Sequence, residues 1–320
     1  MSPPLVSIGL PVYNGEKLVG RAIDSLLAQD YPNFELIISD NCSTDQTAAI
    51  CARYAEKDPR VRFSSNPKNL GVYANFLRVL SLARGEYYMW AAHDDFWYPT
   101  FVSALMEELT AHPDAAVAMS ALERITKELL PHDVVRYGTE SLPSPNEMSH
   151  FQLFKYIQYR GPYYFFMYGL YRMDFVRRLM QIPIPEVPRG DLMWVAQIAL
   201  ATRLRYRDEV LHIRTESDIS AAERYPEDEF SRIEASGRWT SHHEMLALMR
   251  HLLRSRVVPW RRKLQALCWL AASHLDGHLF PKRSPLRWLH QRLKPRRKHA
   301  EPVGEAVGGP QPVLAGEGKR

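Results

Sequence analysis

Over the first 121 residues, short continuous apolar runs alternate with segments whose apolar residues recur at helical spacing. VSIGLPVY (6–13) is apolar and rich in β-branched residues, which predicts a buried strand. From Glu16 to Asp30, Leu18, Ala22, Ile23, Leu26 and Leu27 keep the helical period, and Tyr31-Pro32-Asn33 ends it. FELIISD (34–40) predicts a second strand, and Ser43-Thr44-Asp45 begins a helix running to about Lys57. VRFSS (61–65), a helix over 70–83, YYMWAA (87–92), a helix from Pro99 to about His112 and AAVAMSA (115–121) continue the alternation.

Strands that alternate with helices at this spacing predict a parallel sheet with helices on its faces. Ligands of such sheets sit beyond the carboxyl ends of the strands. That rule selects three polar clusters: Tyr13-Asn14, Asp40-Asn41 and His93-Asp94-Asp95. Residues 122–215 are less regular. They hold the aromatic segment YYFFMYGLYR (163–172), predicted helices at 174–181 and 191–201, and a predicted strand at 203–214. Residues 215–228 read as a polar loop and about 228–294 as helices. The tail from Pro295 has the Pro, Gly, Ala and charge content of disorder.

Composition is that of an ordinary globular protein, at 46% hydrophobic and 24% charged. Cys42, Cys51 and Cys268 match neither a disulfide framework nor a zinc pattern. The N-terminal residues lack the basic start and apolar run of a signal peptide. The longest apolar stretch, LQALCWLAASHL (264–275), is short for a membrane span. A cytoplasmic protein is therefore expected. Charge changes this picture at one end. Residues 250–299 carry 14 Lys/Arg against the single acid Asp276, a balance of +13, while the remainder carries 27 basic and 35 acidic residues, a balance of −8.

Neither G-x-x-x-x-G-K-[ST] nor G-x-G-x-x-G follows the first strand, so no glycine-rich loop is available to cradle phosphate. Acidic strand ends have the wrong sign for phosphate but the right one for Mg²⁺ or Mn²⁺, which can bridge a diphosphate. His93-Asp94-Asp95 is the first candidate for such a site, and a plain cap on the helix opening near Pro99 is the alternative reading. Asp40 can accept hydrogen bonds from a base or ribose, whereas Asn41 to Asp45 reads equally well as an Asx turn with an N-cap.

In order along the chain stand P-V-Y-N (11–14), an amphipathic helix, I-I-S-D-N-C-S-T-D-Q-T (37–47), N-x-G (69–71), A-R-G-E-Y (83–87) and H-D-D-F-W-Y-P (93–99). Over about residues 5–215 this resembles the family 2 inverting glycosyltransferases. The resemblance implies an α/β GT-A fold, a Rossmann-like, mostly parallel sheet with helices on both faces, here followed by a helical C-terminal segment. It divides the chain into a GT-A domain over 1–215 (donor half about 5–121, acceptor half about 122–215), a basic helical region over 216–294 and a disordered tail over 295–320. It implies that Pro11, Tyr13 and Asn14 pack on the nucleotide, that Asp40 bonds a pyrimidine, and that Asn69 and Gly71 line the donor site. Asp94 would hold the metal with Asp95 beside it. Where many members carry D-A-D-D, this chain has Ala92-His93-Asp94-Asp95, so His93 stands in for the missing ribose contact. Asp191, in Gly190-Asp191-Leu192, matches the catalytic base, although the family's preceding glutamate is absent. Arg214 is a candidate diphosphate contact, with a surface arginine as the equal alternative.

The function so implied is metal-dependent transfer, with inversion, from a nucleoside-diphosphate sugar (UDP or dTDP type) to a hydroxyl of a glycan or lipid-linked acceptor. It belongs to cell-surface polysaccharide biosynthesis. The alternatives are an inactive nucleotide-sugar-binding protein of the same fold and a metal-dependent phosphohydrolase. Tyr163, Tyr164 and Tyr171 read as core or as a sugar platform. His242-His243 reads as surface, and His274 with His278 lacks a third metal ligand. The basic segment 255–298 interleaves Trp260, Trp269, Trp288 and several leucines with cations, which suggests a peripheral anchor on the anionic inner face of the plasma membrane. The other reading is a solvated charged face. No nucleic-acid module accompanies the charge.

Overall fold

Strands β1 (Val6–Val12) and β2 (Phe34–Asp40) are buried at every position, as expected of strands covered on both faces. The structure, a computed structural model, describes residues 2–126, 130–136, 143–159, 163–182, 185–188, 190–215, 232–233, 236 and 241–279. β3 (Val61–Ser65) and β4 (Tyr87–Trp90) complete a parallel set with β1 and β2. The helices α1 (Val19–Leu27), α2 (Thr47–Lys57) and α3 (Val72–Ser81) are the crossovers between these strands. β5 (Phe96–Trp97), α4 (Phe101–Ala111) and β6 (Ala115–Ile125) follow. β7 (Pro131–Val135), α5 (His150–Tyr159), a 3₁₀ turn (Tyr163–Tyr168), β8 (Leu170–Arg172), α6 (Met173–Leu179), α7 (Gly190–Ala201) and β9 (Arg203–Thr215) come next. Last are α8 (Ser241–Arg254) and α9 (Trp260–Leu279).

The strand order is β3-β2-β1-β4-β8-β6-β9-β5, with β7 on the margin of β6. The sheet is mixed. β8 lies antiparallel between β4 and β6, and β5 antiparallel on β9, while β6 and β9 are parallel. Three strands were not legible in the pattern. β5 and β8 have two and three residues, too few to show a period, and β7 lies in a polar stretch. The aromatic segment 163–172 divides between the 3₁₀ turn and β8.

Because successive side chains of a strand face opposite ways, each strand feeds two cores. Ile8, Leu10, Met89 and Ala91 join α1 and α4 on one face. Ile37, Tyr88 and Trp90 join α3, α5 and α7 on the other. α7 is buried from Leu192 to Leu200, as a helix apolar on all sides must be. It lies between the sheet and the C-terminal helices, for Leu248, Leu252, Val258, Ala266 and Leu270 belong to the same core. Trp269 packs edge-on against Phe151 and Phe154 at ring-centre distances of 6.1 and 5.7 Å. Arg262 Nη1 donates to the carbonyl of Leu200 in the last turn of α7, 2.8 Å away, the favourable place for a cation. Among the described residues, no helix is long and apolar enough to cross a membrane. The expected loop at 216–228, the tail from 295 and Trp288 lie outside the described residues, as do the side chains of Tyr163, Tyr164, His274 and His278.

Candidate functional site

The ends of β1 and β2 are laced together by their loops. Asn14, at φ 48°, donates its N–H to Ser43 Oγ (2.9 Å), and its side-chain oxygen accepts from Thr44 N (2.9 Å). Gly15 N donates to Thr47 Oγ1 at 2.8 Å. Pro11 sits in β1 opposite Ser39. Its missing N–H points toward β4, where pairing has already ended at Gly9 and Trp90, so the proline costs the ladder nothing. Tyr13 follows, half-buried at the strand end.

Asp40 is only 1% exposed. Ser65 Oγ donates to its Oδ2 at 2.6 Å, and Ser43 N approaches both oxygens at 3.2 and 3.3 Å. The side chain thus forms the floor beneath the second strand end and shapes the Asn41–Ser43 turn, in which Cys42 has φ 63°. Beside it, Asn41 is a hub that sequence reasoning left as a turn residue. Its Nδ2 donates to Asn69 Oδ1 (2.7 Å), and its Oδ1 accepts from Leu70 N (2.9 Å) and Asn66 Nδ2 (3.1 Å). Asn69 Oδ1 also accepts from Gly71 N at 2.8 Å. Gly71 has φ 83°, a conformation that L side chains rarely adopt, and it turns the chain into α3. The asparagine spacing 41, 66, 69 and 75 was the available signal, but nothing in a single sequence brings those positions together.

His93 lies over the first loop: a Cβ on Gly15 would stand 2.5 Å from His93 Cδ2. His93 and Asp94 are half-buried at the mouth of the β4–β5 connection, whereas Asp95 is 2% exposed. Asp95 faces β9. Its Oδ2 meets His212 Nε2 at 3.0 Å, and its Oδ1 accepts from Thr215 N at 3.0 Å. His212 is 3% exposed and stacks on Trp97, 5.3 Å between ring centres and 5° from parallel. Phe96 and Trp97 pair with Ile213 and His212 as β5, so the acidic connection is bound to the end of β9. His212 is a site residue to which the sequence reading gave no role of its own. Its signal was a lone histidine in the apolar stretch Val-Leu-His-Ile.

Arg214, two residues on, lies over the rings of Phe165 and Tyr168, with its guanidinium carbon 4.9 and 5.7 Å from their centres. Asp191 opens α7, and its Oδ1 accepts from Leu192 N at 2.9 Å. Tyr168 joins these parts. Burial first pushes its hydroxyl above the ordinary range. The Arg214 charge opposes that rise, and the carboxylates of Asp95, Asp94 and Asp191 add to it. Three carboxylates and one guanidinium from three separate segments therefore act on one phenol. Tyr171, by contrast, is wholly buried, donates to Phe166 O at 2.6 Å and stacks on Trp194, so it is core.

Among the described residues, no group of three or more His, Cys, Asp or Glu is placed to hold a metal ion without other donors. A small hard cation at a diphosphate takes only one or two carboxylates from the protein, with phosphate oxygens and water supplying the rest. With Asp95 directed to β9, Asp94 is the carboxylate at the mouth that fits such an ion.

The sequence profile described as glycosyl transferase family 2 matches residues 7–180, more than half of the chain. The chain belongs to glycosyl transferase family 2. This family 2 chain is 38% identical over 112 residues to the putative colanic acid biosynthesis glycosyl transferase WcaA of Escherichia coli, 34% of this chain and 40% of that protein. It is 41% identical over 96 residues to an uncharacterized glycosyltransferase of Rickettsia typhi, covering 30% of this chain and 29% of the relative. The matches thus span less than half of these curated relatives. Its fold is that of S. aureus TarS 1-349, solved in complex with UDP-GlcNAc, with a TM-score of 0.59, 20% identity and coverage of 87% of this chain and 76% of that one. The expected α/β GT-A architecture is therefore present.

Proposed function

We propose that this family 2 chain is an inverting glycosyltransferase that moves a sugar from a nucleoside-diphosphate donor, of UDP or dTDP type, to a hydroxyl of a glycan or lipid-linked acceptor. The observation that carries the reading is the Arg214 guanidinium lying over the Tyr168 ring, 5.7 Å from its centre, beside a hydroxyl that also feels the charges of Asp94 and Asp191. Residues 5–121 form the donor half, with the base and ribose over Tyr13, the Asp40 floor, the Asn41–Gly71 loop and His93. Residues 122–215 supply the acceptor side. Asp94 would hold Mg²⁺ or Mn²⁺, which neutralises charge on the diphosphate when bound. Arg214, pre-oriented by Phe165 and Tyr168, adds a second positive group for the departing phosphate.

Asp191 accepts the proton of the acceptor hydroxyl. That oxygen forms the new bond to the anomeric carbon as the bond from that carbon to the phosphate oxygen breaks. The electron pair leaves with the nucleoside diphosphate. One displacement in line inverts the centre. The relative named for colanic acid biosynthesis supports a polysaccharide acceptor.

The test is a thermal-shift panel of UDP, dTDP and GDP and their sugars, with and without Mn²⁺, followed by release of nucleoside diphosphate. We expect a metal-dependent shift with a pyrimidine nucleotide. Asp191→Asn is expected to keep the shift and lose turnover by at least about a hundredfold. Wild-type turnover in Asp191→Asn refutes the assigned base. A tight donor shift with no transfer to any acceptor would favour the inactive binding protein instead.

A further inference from the structure

The C-terminal helices divide their apolar residues unequally. Leu248, Leu252, Val258, Ala266 and Leu270 enter the core, and Trp269, which the sequence pattern offers to a membrane, packs between Phe151 and Phe154. Around the corner between α8 and α9 the opposite holds. Leu253 is 60% exposed, Trp260 68% and Leu264 54%. They are three of the six large apolar side chains exposed among the described residues, gathered within twelve positions. The Lys263 ammonium, which bonds the Ser255 carbonyl and lies 3.1 Å from Leu253 O, brings the end of α8 against the start of α9. Arg262 bonds Leu200 O. Those two cations are used to hold the corner.

The other cations face outward. Arg250, Arg254 and Arg261 are exposed, as is Arg256, which donates to Gln181 Oε1 at 3.3 Å, and residues 250–265 contain no acidic residue. Arg261 lies 5.6 Å from the centre of the Trp260 ring, so aromatic and cation present themselves together. An exposed tryptophan and two leucines are poor at a water-facing surface. Flanked by cations and by no acid, they match one kind of environment: an interface whose outer layer is anionic and whose inner layer is apolar. A nucleic acid would answer the arginines and leave the leucines unexplained.

We propose that this corner docks the protein on an anionic lipid surface, with Leu253, Trp260 and Leu264 entering the headgroup boundary and Arg254, Arg256 and Arg261 meeting lipid phosphates. The docking point is thus narrower than the basic segment as a whole, and it is rigid. α8 and α9 share a core with α7, whose first turn carries Asp191, so the corner fixes the orientation of the catalytic half relative to the membrane. This inference is independent of the transfer reaction, and its failure would leave that reading standing.

The experiment is flotation of the full chain with vesicles of phosphatidylcholine alone or mixed with phosphatidylglycerol. It is repeated for Trp260→Ser/Leu264→Ser and for Arg254→Gln/Arg261→Gln. All altered side chains are at the surface, and an unchanged melting temperature confirms folding. Binding is expected with the anionic vesicles and not with the neutral ones. The arginine pair should weaken it roughly thirtyfold, about fivefold per charge, and raised salt should weaken it too. The apolar pair should weaken it about tenfold or more. Undiminished binding by both variants would place the anchor elsewhere and overturn the proposal. So would equal binding to neutral vesicles, no binding to either, or tighter binding to a single-stranded oligonucleotide that is indifferent to the apolar pair.

Discussion

Replacing Asp95 by asparagine separates two roles that its neighbourhood in sequence confounds. In the structure its carboxylate is buried and accepts from His212 Nε2 and Thr215 N, each at 3.0 Å. Asparagine keeps one oxygen for Thr215 N but presents an N–H₂ to His212, where the carboxylate presented an oxygen. Only with the imidazole proton moved to Nδ1 can Nε2 accept from that N–H₂, and the His212 contact then falls from a charge-assisted bond, about 1.5–3 kcal/mol, to a neutral one of about 0.5–1.5 kcal/mol. The Thr215 bond loses part of its charge assistance as well. Together the loss is about 2 kcal/mol, which lowers the melting temperature by several degrees. Asp94→Asn, at a half-buried position on the mouth of the loop, should leave the melting temperature of the free protein nearly unchanged and abolish the Mn²⁺-dependent part of the donor shift. Both variants are to be measured by denaturant unfolding without metal and by thermal shift with nucleoside diphosphate and Mn²⁺. If Asp95→Asn is as stable as the parent and loses only the metal response, Asp95 is a ligand and the clamp on β9 is wrongly reasoned.

Three further outcomes are expected. Gly15→Ala places a Cβ 2.5 Å from His93 Cδ2 and 2.9 Å from Val12 Cγ2, so it should move the imidazole and weaken nucleotide binding in a titration, with little change in metal affinity. Gly71→Ala puts a Cβ on a residue at φ 83°, and should cost roughly 1–2 kcal/mol in urea unfolding. His251, buried between α8 and α7 against Gln197, is held down to about 4, first by burial and then by Arg254. The unfolded chain binds that proton near 6.5 and the folded one does not, so stability is full above about 6.5 and falls as the pH drops toward 4, by up to about 3 kcal/mol. His251→Gln should flatten that part of the stability profile in pH-resolved unfolding.

The parallel part of the fold was written in the sequence because β1, β2 and β4 are short apolar runs separated by helical periods, signals that need only neighbours along the chain. The rule that ligands sit at strand ends then selected Tyr13, Asp40 and Asp94 without coordinates. The resemblance supplied Asp191 and Arg214, and the structure brings both to Tyr168 with Asp94 and Asp95. Other features were set only by contacts between distant segments. The insertion of β8 between β4 and β6 depends on three residues, and three residues carry no period. Asp95 and Asp94 are chemically identical and adjacent. Only the approach of β9, 117 positions away along the chain, turns one into a buried clamp and leaves the other at the mouth. The C-terminal tryptophans divide in the same way. Trp260 and Trp269 both lie in the basic C-terminal segment, and the α5 surface packs one against the core and leaves the other facing solvent. Periodicity records what a residue's own element requires. Which of two equivalent side chains is buried depends on the surface that packs against it, and that surface comes from elsewhere in the chain.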